Sequence, residues 1–192
     1  MRSAERPTPA WLPGAALAML ALLRGWLEAS MFRHMAIELP LLLALGVAAA
    51  ALSGRNAQAC DSWNRRGLPG LVAVTAIASY WMLPVALDLA VLDARWSVAK
   101  VASMIMAGAA LGLSWPRAGV VLQAFFAINW SAMTLVAGLL YQDAPQQLCS
   151  VYLADQQGAA GRALVGLAVA GLAAWTVSVV RRVGRDEGGL RI

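Results

Sequence analysis

The sequence predicts an all-α, polytopic integral membrane bundle of about six transmembrane helices, a single domain over residues 1–192. Three observations predict it. The residues are 60% hydrophobic and only 13% charged, about half the charged fraction of a soluble domain. Several apolar runs approach the ~20 residues that cross the hydrocarbon core of a bilayer. Short polar segments rich in arginine separate those runs, which is how membrane orientation is encoded. The net charge of +5 therefore belongs to membrane topology, and no nucleic-acid partner is expected.

In chain order, residues 1–10 are polar, with Arg2, Arg6 and two prolines, and read as a tail. A basic start and a short apolar core resemble a signal peptide. Arg24, Trp26 and Glu28 fill the place of a cleavage site, so the segment reads as a retained first helix over 11–30. Arg24 and Glu28 stand four apart and can pair along it. The second helix is predicted over 35–52, with Pro40 bending it or ending its first turn. Residues 53–69 form a basic loop with Arg55, Arg65 and Arg66. The third helix is predicted over 71–92, with Pro84 inside it and Asp88 near its far end.

After a tight connection at Asp93–Trp96, the fourth helix is predicted over 97–113. Its Gly108 and Gly112 form a GxxxG pair that permits close helix approach. The fifth, over 120–140, carries Gln123, Asn129, Ser131 and Thr134. Residues 141–161 are the longest polar connection, and the sixth helix is predicted over 162–180 before a tail with Arg181, Arg182, Arg185 and Arg191. Tryptophans near the predicted helix ends (Trp11, Trp26, Trp81, Trp96, Trp115) fit interfacial anchoring.

With both termini inside, Arg2, Arg6, Arg55, Arg65, Arg66, Arg117, Arg181, Arg182, Arg185 and Arg191 share the inner face. Arg33, Arg95, Lys100 and Arg162 fall on the outer one. An N-in, C-in arrangement follows from the excess of inner positive charge. It places His34, Met35, Glu38, Asp88, Cys149 and Asp155 on the outer side. Cys60 falls inside, so a Cys60–Cys149 disulfide is not expected.

His34 is the only histidine. On a helix, Met31, His34, Met35 and Glu38 would lie on one stripe. Ionisable groups at membrane depth suggest function. Imidazole with thioether suits copper, especially Cu(I), so the metal-site candidates are His34 and Met35. Glu38, Asp88 and Asp155 are the groups that could orient them. Haem b, with His34 as an axial ligand, is the alternative cofactor. The competing readings are plain: His34 as a cap or hydrogen-bond partner, the methionines as packing, Glu38 and Asp88 paired with Arg33, Arg95 or Lys100, and Cys149 as a free thiol. No nucleotide-binding loop, dinucleotide fingerprint, nucleophile elbow, HExxH or CxxC motif occurs, and an enzyme is not expected.

Two segments resemble a known family. His34-Met35, followed by Glu38-Leu-Pro40-Leu-Leu-Leu-Ala-Leu-Gly46, resembles the His-Met-x-x-His and Pro-Leu-Leu-Leu-x-x-Gly pattern of the CtaG-like family, membrane proteins linked to cytochrome c oxidase assembly and copper delivery. Asp155-Gln156-Gln157-Gly158-Ala-Ala-Gly161 is similar to that family's Asp-Gln-Gln-x-x-Gly segment. Glu38 stands where the family pattern has its second histidine. The resemblance implies copper handling or assembly of a respiratory oxidase in the bacterial inner membrane, with oxidase subunits and membrane lipid as partners. The alternative roles are a structural accessory subunit without a metal, whose 141–161 loop docks a periplasmic cytochrome c, and a haem b electron-transfer protein. Transport is weaker, since no repeated halves occur.

Overall fold

A computed structural model describes residues 12–52 and 62–188. The expected tail, the start of the first helix, Arg2, Arg6, Arg55, Arg191 and Cys60 lie outside the described residues. All regular structure within them is helical. The helices are α1 (Leu12–Leu27), α2 (Met31–Leu52), α3 (Leu68–Trp81), α4 (Pro84–Leu92), α5 (Ala94–Ser114), α6 (Val120–Asp143) and α7 (Ala154–Gly188). Four of the described helices are long and apolar enough to cross a membrane, and the α3–α4 pair makes a fifth if its two halves count as one span. The chain is thus compatible with a multi-pass membrane protein.

Three expectations need correction. The helix predicted over 71–92 is broken, and its halves α3 and α4 meet at 75°. Pro84 has no N–H to give, and its ring would strike the carbonyl four residues back. Leu83 before it is therefore extended (φ −74°, ψ 132°), as a residue preceding proline prefers. The freed carbonyl of Met82 accepts the Tyr141 hydroxyl at 2.9 Å, so the break is hydrogen-bonded from α6. The polar connection expected over 141–161 is shorter. α6 continues to Asp143 and α7 begins at Ala154, with Asp155 in its first turn. Finally, the first helix ends at Leu27 rather than at residue 30; its described part, Leu12–Leu27, has 16 residues, about 24 Å at the usual rise.

Pro40 does not end α2. The helix widens just ahead of it into a π-turn over His34–Glu38, where Leu39 N–H reaches the His34 carbonyl. The wider turn absorbs the donor that proline lacks. Ser30 caps the start, accepting from Arg33 N–H at 3.3 Å.

α2 packs along α5, and α6 along α7, with α3 and α4 also laid on α5. The α2–α5 contact is backbone on backbone. A Cβ on Gly46 would collide with the Ile105 carbonyl oxygen, and one on Gly108 with that of Leu43. Small residues allow this approach, as expected for α5. Apolar side chains from α2, α4, α6, the 144–153 connection and α7 close a core at one end of the bundle: Met31, Met35, Leu87, Tyr141, Cys149, Tyr152 and Leu164.

Candidate functional site

The polar cluster lies beside that core, where the end of α1, the starts of α2 and α5, and the 144–153 connection converge. Lys100 and Glu38 sit six and seven residues into α5 and α2, about 9–11 Å below their starts. Both are buried, as is His34.

Lys100 Nζ contacts Glu38 Oε1 directly, lies 2.9 Å from Glu28 Oε1 and 3.1 Å from His34 Nε2. An ammonium has three protons and accepts nothing. Those three acceptors use all of them. Nε2 is then the acceptor nitrogen of a neutral imidazole, and the ring proton sits on Nδ1, which lies 2.6 Å from the Tyr152 hydroxyl. Arg24 Nε donates to the other oxygen of Glu28 at 2.8 Å. Two cations and two carboxylates balance, with His34 neutral between them. Glu38 Oε2 is buried without a hydrogen-bond partner, 3.8 Å from His34 Nε2.

The predicted stripe is divided by its surroundings. Met31 and Met35 enter the apolar core, whereas His34 and Glu38 meet Lys100. Asp88 is elsewhere. It accepts from Ser150 N–H (2.7 Å), Ser150 Oγ–H (2.8 Å) and Val151 N–H (3.3 Å), pinning the connection onto α4. It pairs with none of the cations proposed for it; Arg95 turns to Asp93 at 3.2 Å, and Arg33 stacks on Trp26. Asp155 is exposed. The glutamines after it carry the local order: Gln156 accepts from Met31 N–H at 3.4 Å, and Gln157 from Leu148 N–H at 3.0 Å. The two family-like segments, far apart in sequence, also touch, since α7 lies against the His34–Glu38 turn. Cys149 is a free thiol, buried, and pushed up to about 12 by burial first and by the Asp88 carboxylate second. Burial also raises the Tyr152 phenol above its ordinary value, with Glu28 the next contributor, so it stays protonated.

The sequence does not mark Glu28 and Tyr152 as members of the site, and it offers Lys100 only as one of three cations for Glu38 or Asp88; the Glu38–Lys100 pair is the one that forms. The signal for Lys100 was present: a lysine in the second turn of an apolar helix, flanked by Val98 and Val101, is costly at membrane depth unless paired.

A copper ion does not fit this donor set. His34 offers a metal one ring nitrogen, and that nitrogen faces an ammonium, which repels a cation. Among the described residues no group of three or more His, Cys, Asp or Glu is placed to hold a metal ion. Axial haem ligation meets the same obstacle at Nε2. No family model matches the chain, and neither a curated protein nor a solved structure is similar to it, so its chemistry rests on these residues.

Proposed function

We propose that this chain is a multi-pass protein of the bacterial inner membrane that works by binding, as a metal-free accessory or assembly subunit of a respiratory oxidase. In this reading the His34 cluster is a lock. It ties α1, α2 and α5 to the 144–153 connection and presents that end of the bundle to a partner. The observation that carries the reading is the saturation of Lys100 by Glu28, Glu38 and His34, which leaves the imidazole engaged on both nitrogens. The resemblance of the two touching segments to the CtaG-like family supports the oxidase as the complex. Six crossings with both termini inside require α1 as a short span and α3–α4 as one broken span. The exposed Arg65, Arg66, Arg181, Arg182 and Arg185 suit the inner face.

Copper handling through His34 and Met35 is the competing reading, and one experiment separates them. Native protein is purified in detergent, its copper measured by elemental analysis, its absorption spectrum recorded and its co-purifying subunits identified. Oxidase subunits at fixed stoichiometry are expected in mild detergent, and the chain separated from them is expected to hold neither copper nor a Soret band. Equimolar copper that disappears in His34→Ala would overturn the metal-free reading in favour of copper handling.

A further inference from the structure

Two partly open clefts lie between the helices, each of about 260 Å³. They share the walls Leu43, Ala78 and Trp130. The first is lined also by Leu71, Phe126, Ser131 and Trp175, the second by Met35, Leu39, Thr134 and Leu167. Either is many times the ~30 Å³ share of one water.

Three lining residues hold polar atoms that are buried without a partner: Ser131 Oγ, Thr134 Oγ1 and Trp175 Nε1. This is unusual for the chain. Thr75, Ser79 and Thr176 each return their hydroxyl proton to the carbonyl four residues back, at 2.7–3.0 Å, the ordinary solution in an apolar helix. Ser131 and Thr134, one turn apart on α6, do not. An indole N–H can only donate, and a hydroxyl has a proton to give. The missing group is therefore an acceptor oxygen on an otherwise apolar molecule. The aromatic walls Phe126, Trp130 and Trp175 favour a flat one, since rings gain from stacked or edge-on contact.

We propose that these adjoining clefts bind a membrane-soluble molecule through its carbonyl oxygens, with Ser131, Thr134 and Trp175 as the donors. Two sources offer that chemistry: the head group of a prenylated quinone, and the ester region of a lipid. The site is separate from the His34 cluster and independent of the oxidase reading.

The test uses the full chain in detergent. Tryptophan fluorescence is titrated with a short-chain benzoquinone, and in a second arm with dihexanoyl phosphatidylcholine, each checked by calorimetry. Saturable binding of one equivalent is expected. Ser131→Ala, Thr134→Val and Trp175→Phe should each weaken it roughly three- to tenfold, the worth of one hydrogen bond. Ala127→Phe, which fills the first cleft, should abolish it; if that variant does not fold, the three donor variants decide. Saturation by the quinone assigns the site to a quinone, and saturation by the ester alone assigns it to a lipid. Non-saturable quenching with no heat in either arm, or affinity unchanged in all three donor variants, overturns the proposal.

Discussion

Replacing Lys100 with methionine isolates what the buried charge cluster contributes. The side chain is fully buried, and the carboxylates it meets, Glu28 and Glu38, are 9% and 6% exposed, so solvent screening is small. Glu28 keeps Arg24 at 2.8 Å; Glu38 keeps no cation, and His34 Nε2 loses its donor. Breaking a buried pair from one side costs about 3–5 kcal/mol. For a chain of this size that corresponds to a fall in Tm of roughly 6–20 °C. Removing both partners is different, because apolar residues of similar volume often replace a buried pair without loss. Lys100→Met with Glu38→Met should therefore recover more than half of the single variant's deficit. The assay is thermal and SDS-induced unfolding of the four members of the cycle in one detergent, followed by circular dichroism. A Lys100→Met cost below about 1 kcal/mol, or a double variant no better than the single, would refute the cluster as drawn.

Four further outcomes are expected. Tyr152→Phe leaves the His34 Nδ1–H without its acceptor, so stability should fall by about 1–3 kcal/mol, read by the same unfolding assay; an unchanged midpoint would mean the hydroxyl is not the imidazole's partner. Cys149, with its thiol pushed up to about 12 from 9.0, should alkylate at pH 8 roughly a thousandfold more slowly than an exposed thiol, since the thiolate is the nucleophile. Asp88→Ala removes the acceptor of three loop hydrogen bonds and should speed that alkylation at least tenfold, measured by mass spectrometry at Cys149; equal rates would show that Asp88 does not hold the loop. Gly108→Leu places a side chain against the Leu43 carbonyl and should abolish a folded, monodisperse preparation. A folded variant would show that α2 and α5 do not meet there.

Much of the architecture was legible because hydropathy is a local property. The second, fourth and fifth helices fall close to where their apolar runs predict, and the Arg24–Glu28 pair follows from four-residue spacing on one helix. The Gly108–Gly112 pair correctly marked a close-packing face. The break at Pro84 was half legible: proline announced a disturbance, but a bend of 75° also needed an acceptor role for Met82, and Tyr141, which fills it, is distant in sequence. The early start of α7 was hidden because Asp155, Gln156 and Gln157 read as loop residues. They are helical because Gln156 and Gln157 find backbone donors on other segments.

The sequence by itself determined an all-helical chain whose helices include several long and apolar enough to cross a membrane, since apolar length is a local property that needs no knowledge of neighbours. It also marked His34 and Glu38 as exceptional. What they do was decided only by tertiary structure. Three different segments bring Glu28, Lys100 and Tyr152 to them, and a buried ionisable group takes its chemistry from the partners that compensate it. Spacing along α2 suggested a soft-metal stripe. The approach of α5 placed an ammonium on the nitrogen a metal would need.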